Sequence, residues 1–322
     1  GGADRHGMAG VPMAEKYSAG WKTSLKGTLS QPVASDGKVV VSCVDKHTVY
    51  ALNESDGEVA WSFLAGGKVD SPPTLWAGRA LFGCSDGWVY SVDLEDGSLI
   101  WKAVRTGTAS DSLYPNDLLK DSIPSDVTPV DSDSDGLIDM VYVADTGGVI
   151  WRADLPLGES GNWTMTPIFS AGRHAVNESG ASLGLPDRRF FHRPDIVPAE
   201  NSAGTKYLAV LIGSGNRPFP RQEFNEGVDG DGIPSPPHDQ FYAVKDFNTT
   251  PGTPPSMLTP ADLADVTSET AETLDTGCTE GNATQCTVQT ALQQKGWYFS
   301  LINDNGEKML ASSVTFFGKT FF

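Results

Sequence analysis

No stretch of about 18 uninterrupted apolar residues occurs in the 322-residue chain, which excludes a membrane-spanning helix. Residues 1–20 lack the apolar segment of a secretory leader, so any export signal has already been removed. Helical periodicity is scarce, and only Pro260–Ser268 could form one or two turns. Basic side chains are short in supply: 23 Lys and Arg face 41 Asp and Glu, for a net charge of -18. A surface this acidic repels phosphate backbones and anionic lipid, so nucleic acid and direct membrane insertion are excluded as partners. The imbalance is local, net -2 over residues 1–105 and -16 over 106–322. What the chain has in quantity is turn chemistry, 35 Gly and 21 Pro, which favours many short strands over a bundle.

Cysteine is also rare, and four residues are too few for a disulfide scaffold. Cys278 and Cys286 share a Thr/Gly-rich loop, T-G-C-T-E-G-N-A-T-Q-C, with little to pack against. A local disulfide is the physical reading, which favours an oxidising compartment; two exposed thiols are the alternative. Cys43 and Cys84 each end an apolar run (V-V-V-S-C and A-L-F-G-C) and read as buried free cysteines.

An internal repeat organises the first third. Residues 37–61 and 78–101 align with one inserted residue, matching Cys43 with Cys84, Tyr50 with Tyr90, Asp56-Gly57 with Asp96-Gly97, and Trp61 with Trp101. Each unit holds three β-rich runs, and a fourth short run precedes it, near Gln31–Val33 and Ser71–Leu75. The Asp-Gly pairs are hairpin signals, because glycine takes the positive φ of a tight turn. Four strands per roughly 40 residues is the period of a β-propeller blade. Weaker copies follow: Val141–Leu155 turning at Gly147-Gly148, which matches Trp151 to Trp61 and Trp101; Tyr207–Gly215 with Phe241–Lys245; and Gly296–Leu301 turning at residues 303–306 into Lys308–Phe317. The expected fold is all-β, one propeller over 1–322 with about five four-stranded antiparallel blades. Two regular blades fill 1–105, and less regular ones fill 106–322 with insertions at 216–240 and 249–295. The chain ends at Phe321-Phe322 within an apparent strand, as a fragment would.

The sharpest chemical signal is D-S-D-S-D-G-L-I-D, residues 131–139. Oxygen side chains fall at loop positions 1, 3 and 5 (Asp131, Asp133, Asp135), glycine at position 6, and Asp139 at position 9, while Leu137 would offer its carbonyl at position 7. This resembles the first nine residues of the EF-hand calcium loop. Position 12 is Tyr142 rather than a bidentate Glu, and the loop enters the strand Met140–Ala144 instead of a helix. The expectation is a strand-flanked Ca²⁺ site; a solvated acidic turn is the plainer alternative. A second acidic cluster, Glu226, Asp229 and Asp231, is irregularly spaced and reads as a surface loop.

Two resemblances follow from these residues. The units over Gly20–Lys102 resemble quinoprotein-like (PQQ-like) propeller repeats, whose blades end in a tryptophan after an Asp-Gly turn; that implies fold, not chemistry. The quinone dehydrogenases of that superfamily use adjacent cysteines, which this chain lacks, so a redox enzyme is not expected. The run from Asp131 to Leu155 is similar to the C-terminal propeller of PilY/PilC-type type IV pilus tip adhesins. Ordered matches continue at R-P-D-I-V-P (193–198), L-I-G-S-G-N-R (211–217), D-Q-F-Y-A-V-K-D (239–246), A-D-L-A-D-V-T (261–267) and K-G-W-Y-F-S-L-I-N-D-N-G-E-K (295–308), so that this likeness spans about Leu113–Phe322. It implies Ca²⁺ held by Asp131, Asp133, Asp135, Leu137 and Asp139. It also implies an exported protein of the cell surface or pilus tip, or of the periplasm, and pilus subunits (minor pilins) or a host or surface receptor as partners.

Catalytic patterns fare poorly. Gly180–Gly184 matches G-x-S-x-G but lacks the strand before and the helix after that a nucleophile elbow needs. The five histidines are scattered without zinc-ligand spacing. A non-enzymatic, calcium-binding surface propeller is the leading expectation, and a PQQ-like scaffold or sensor with a structural calcium is the alternative.

Overall fold

Tight turns dictate the first sheets. A computed structural model describes residues 19–103, 121–155, 163–172, 186–201, 203–218, 238–253, 255–267, 295–302, 307–316 and 319–322. In it Asp36 (φ 50°) and Gly37 (φ 74°) are both left-handed, the twist a two-residue hairpin requires. They join β1 (Val33–Ser35) to β2 (Lys38–Cys43), and β3 (Thr48–Asn53) and β4 (Val59–Leu64) complete an antiparallel sheet in chain order. The second blade repeats the plan with β5 (Thr74–Trp76), β6 (Arg79–Gly83), β7 (Val89–Asp93) and β8 (Leu99–Lys102). Its first turn, Ala77-Gly78, is again left-handed at both residues.

The third blade is β9 (Thr128–Val130), β10 (Met140–Ala144), β11 (Val149–Asp154) and β12 (Thr164–Ser170). The fourth places β13 (Asp195–Glu200), β14 (Lys206–Gly213), β15 (Gln240–Asp246) and β17 (Gly296–Ser300) side by side, with the two-residue β16 (Ala264–Asp265) parallel to β17 at the edge. A separate hairpin pairs β18 (Val314–Phe316) with β19 (Lys319–Phe321). The stretch considered for helix is a 3-10 turn at Pro260–Asp262 leading into β16. The fold is thus an all-β propeller of four-stranded antiparallel blades. No helix among the described residues is long and apolar enough to cross a membrane.

Period-two alternation gives every middle blade two buried faces. Val40, Val49, Trp61, Phe82 and Tyr90 fill the seam between blades 1 and 2. Leu81, Val89, Trp101, Val143 and Trp151 fill the next, and Met140, Tyr142, Phe169, Val210 and Tyr242 fill the seam between blades 3 and 4. First strands face the common axis: β1 lies against β5, β9 against β13, and β13 against β18. Hydroxyl groups tie neighbouring blades together, from the second strand in blade 1 and from the first strand in blades 2 and 3. Ser42 Oγ donates to the Ser71 carbonyl (3.0 Å), Thr74 Oγ1 to Val127 (3.3 Å) and Thr128 Oγ1 to Pro194 (2.7 Å).

The tryptophan repeat has a socket. Trp61 Nε1 donates to the Leu94 carbonyl (2.8 Å), and its ring covers Gly97, where an added Cβ would meet the indole at 2.7 Å. Trp21 does the same one unit earlier, donating to the Glu54 carbonyl (2.7 Å) and covering Gly57. Trp61 and Trp101 are equivalent, both on the fourth strand of their blades and paired with small residues, Ala51 and Ser91. Trp151 corrects the expectation. It lies on the third strand, β11, opposite Val143, as Tyr50 lies opposite Val41 and Tyr90 opposite Phe82. The turn at Gly147-Gly148 joins the second and third strands, whereas Asp56-Gly57 joins the third and fourth, so matching turn to turn slipped the copy by one strand. The closing unit is corrected too: Gly296–Ser300 pairs with β15 as the outer part of blade 4 rather than opening a blade of its own.

Candidate metal centre

The acidic loop occupies the β9–β10 hairpin, where blades 1 and 2 have two-residue turns. Its backbone is shaped by its own aspartates, which is how Asp side chains build turns. Asp131 accepts from the Ser134 N–H (2.7 Å) and the Gly136 N–H (3.0 Å), Asp133 from Asp135 (3.1 Å), and Asp135 from Leu137 (2.7 Å). Ser134 (φ 65°) and Gly136 (φ 91°) take the left-handed conformations that curl the loop.

Asp139 anchors the other end. It is 5% exposed, and its Oδ2 accepts from both the Ser132 N–H (2.6 Å) and the Ser132 hydroxyl (2.5 Å). Its own N–H donates to Val130, and its carbonyl accepts from Leu155, so the strands on either side fix its backbone.

The structure brings Asp131, Asp133 and Asp139 together, one carboxylate oxygen from each lying within 4.8 Å of the others. Asp135 and Leu137 are exposed and stand outside that group. Three hard oxygen donors with no basic residue in the loop suit a hard divalent cation, and their irregular, partly exposed arrangement fits the variable coordination of Ca²⁺ better than the strict octahedron of Mg²⁺.

Cys43 and Cys84 are buried and free. Burial pushes both thiols up, Cys84 to about 12. Glu226, Asp229, Asp231, Cys278, Cys286 and the Gly180–Gly184 motif lie outside the described residues.

Two features escaped the sequence reading. The first is an aspartate at the turn between second and third strands. Asp86 accepts from the Trp88 N–H (3.0 Å) and the Tyr90 hydroxyl (2.6 Å). Asp145 accepts from the Gly147 and Val149 N–H groups (2.9 Å each) and from Trp151 Nε1 (2.7 Å). Burial, with the nearby Asp121 charge, pushes the Asp145 carboxyl up to about 7. The spacing D-x-x-x-Y of 86–90 was the available signal.

The second is a buried ionic cluster on the seam between blades 3 and 4. Arg152, 0% exposed, donates through Nε to Asp154 (2.7 Å) and through Nη1 to Asp246 Oδ2 (2.7 Å). Its Nη1 and Nη2 also reach the carbonyls of Asn248 and Thr250. The Tyr142 hydroxyl donates to the same Asp246 oxygen (2.8 Å). Burial raises the Asp154 carboxyl above its ordinary range despite Arg152, and it raises the Tyr142 phenol with the Asp246 charge adding to it.

Comparison with known proteins agrees with this architecture. A family model described as outer membrane protein assembly factor BamB matches residues 16–169. The BamB of Yersinia pestis is 33% identical over 149 residues, 43% of this chain and 34% of that protein. The BamB of Moranella endobia is 33% identical over 109 residues, 31% of this chain and 28% of that protein. The chain therefore spans about a third of the length of the curated relatives it matches. Among solved structures, the Pseudomonas aeruginosa PilY1 C-terminal domain superposes with a TM-score of 0.54 at 17% identity, covering 88% of this chain and 64% of that one. The chain is a β-propeller, and its residues 16–169 resemble PQQ-like repeats. The likeness to PilY1 is one of fold.

Proposed function

We propose that this chain is one propeller domain of an exported, non-enzymatic type IV pilus assembly or adhesion protein, and that Ca²⁺ at the 131–139 loop modulates pilus extension, retraction or attachment. The observation that carries the calcium reading is the convergence of Asp131, Asp133 and Asp139 in a hairpin whose blade 1 and 2 counterparts are two-residue turns. Loading would draw Asp135 and the Leu137 carbonyl into the same shell. Partners would be minor pilins or a surface receptor. The PilY1 fold likeness supports this setting.

A second reading is a scaffold of envelope assembly with a purely structural calcium. It is favoured by the BamB-type match over residues 16–169.

The test is calcium-dependent melting. A ligand that binds only the folded state stabilises it by about 2.7 kcal/mol at a hundredfold excess over Kd, and extracellular modules bind at roughly 10⁻⁴ to 10⁻³ M. Asp133→Ala should abolish the calcium-dependent rise in Tm, while Asp229→Ala should keep it. An equal rise in wild type and Asp133→Ala removes the site. Expressing Asp133→Ala in the source cell then separates the two readings: altered pilus retraction supports the first, and intact piliation with an altered outer membrane supports the second.

A further inference from the structure

Arg152 stands where Ala51 and Ser91 stand in blades 1 and 2: on the third strand, one residue after the aromatic (Trp151, Tyr50, Tyr90), facing the following blade. At this point blades 1 and 2 place an alanine and a serine, neither of them charged. The seam between blades 3 and 4 instead buries one guanidinium, two carboxylates and a phenol. Such a cluster is a poor way to gain stability, since apolar side chains of similar volume do as well or better. Its place in the fold suggests another use.

Tyr142 follows the acidic loop on β10, three residues after Asp139, and β10 pairs it directly with Arg152. Met140 and Tyr142 are the first side chains after the loop to enter the blade 3–4 seam. Asp246 is the meeting point. Its Oδ2 takes both the Tyr142 hydroxyl and Arg152 Nη1, while its Oδ1 takes the Asn248 N–H (2.9 Å). Arg152 holds the next carbonyls, Asn248 and Thr250. These contacts form an unbroken path from β10 through Asp246 to the backbone at Asn248 and Thr250, which belongs to another blade.

We infer that the buried Tyr142–Asp246–Arg152 contacts couple cation loading of the 131–139 loop to the Phe247–Gly252 segment of blade 4, so that this segment carries the calcium-dependent change to the surface. The inference rests on the calcium reading of the loop. Loading draws the Asp139 carboxylate toward Asp131 and Asp133, which competes with its bonds to Ser132. Because the Asp139 backbone is bonded to Val130 and Leu155, that pull passes into the strands rather than being absorbed in the loop, and it redistributes the donors on Asp246. Coupling of this kind requires that the two loop states differ in their contacts to Asp246, and the Oδ2 that Tyr142 and Arg152 share is the atom at which they would differ.

The experiment combines calcium titration calorimetry with hydrogen–deuterium exchange on the full chain, comparing saturating CaCl₂ with EGTA. Tyr142→Phe removes one hydroxyl and leaves the ion pairs intact, so it should fold; Arg152→Lys is the stronger second variant. In wild type, calcium should change exchange in residues 247–252 by about fivefold or more, the usual scale of coupling between sites. Tyr142→Phe should bind calcium with similar heat but lose most of that change. Calcium binding with unaltered exchange at 247–252, or a full response in both variants, overturns the coupling alone. No binding heat in wild type overturns the calcium reading and the coupling with it.

Discussion

Gly97→Ala and Gly37→Ala form a matched pair that tests the tryptophan socket. Both glycines have nearly the same left-handed backbone, φ 75° and 74°. An alanine in that conformation costs roughly 1–2 kcal/mol, partly offset by about 0.4–1 kcal/mol from a less flexible unfolded chain. Around Gly37 a new Cβ meets nothing within 4 Å, so strain is the whole effect, about 1 kcal/mol or less. At Gly97 the methyl enters the Trp61 ring, 2.7–2.9 Å from three of its atoms. Overpacking adds about 1–3 kcal/mol. If the indole swings away, its bond to Leu94 is lost as well, about 1 kcal/mol. The expected difference between the variants is about 1–3 kcal/mol. Urea titration reads it as a lower midpoint at unchanged m for Gly97→Ala, and tryptophan fluorescence should report a wetter indole. Equal midpoints for the two variants would show that the socket is not what makes the Asp-Gly-to-Trp spacing matter.

Removing Arg152 should be severe: Arg152→Met leaves Asp154 and Asp246 buried without their cation and should cost about 3–5 kcal/mol in urea unfolding, whereas changing all three residues to apolar ones should recover most of it. Asp145 predicts a pH slope. Its folded pKa, about 7, lies above the unfolded value, so its contribution to stability is complete below about pH 4 and is lost as pH rises through 7. Asp145→Asn should therefore flatten the fall in Tm between pH 5 and 8; an unchanged profile rejects that assignment. Cys43 and Cys84 should resist a thiol reagent at pH 8 in the native protein. Titration of the unfolded, unreduced protein should count two thiols in all if Cys278 and Cys286 are bonded, and four if they are not.

Blades 1 and 2 were legible because each of their features is local. An Asp-Gly or Ala-Gly turn forces a hairpin, alternation marks the strands, and Trp61 and Trp101 sit one unit apart. Trp21 carries the same spacing, yet it precedes the first recognisable turn, so nothing local marked it as a fourth-strand tryptophan. Trp151 misled because a glycine turn looks alike on either side of a third strand. The acidic loop was legible as a motif, but which oxygens converge was not: Asp135 is drawn off to the Leu137 N–H, while Asp139 is turned inward by Ser132. The Arg152 cluster was invisible for a physical reason. Arg152 and Tyr142 reach Asp246 across 94 and 104 residues of chain, and W-R-A-D on a strand reads as one polar face toward water. Only the arrival of blade 4 makes that face interior.

The hairpin that carries the acidic loop has an evolutionary consequence. Val130 and Met140 face each other across its base as Ser35 and Lys38 do in blade 1 and Trp76 and Arg79 in blade 2. The host sheet closes on that pair whether two residues or nine stand between its members. A loop attached there is a guest on the backbone pairing, since the strands beneath register in the same way with it or without it, while Ile138 and Asp139 tie it to the sheet below. A chain of this kind can therefore gain or lose an ion-responsive rim by exchanging a single hairpin tip, with the strand register beneath unchanged.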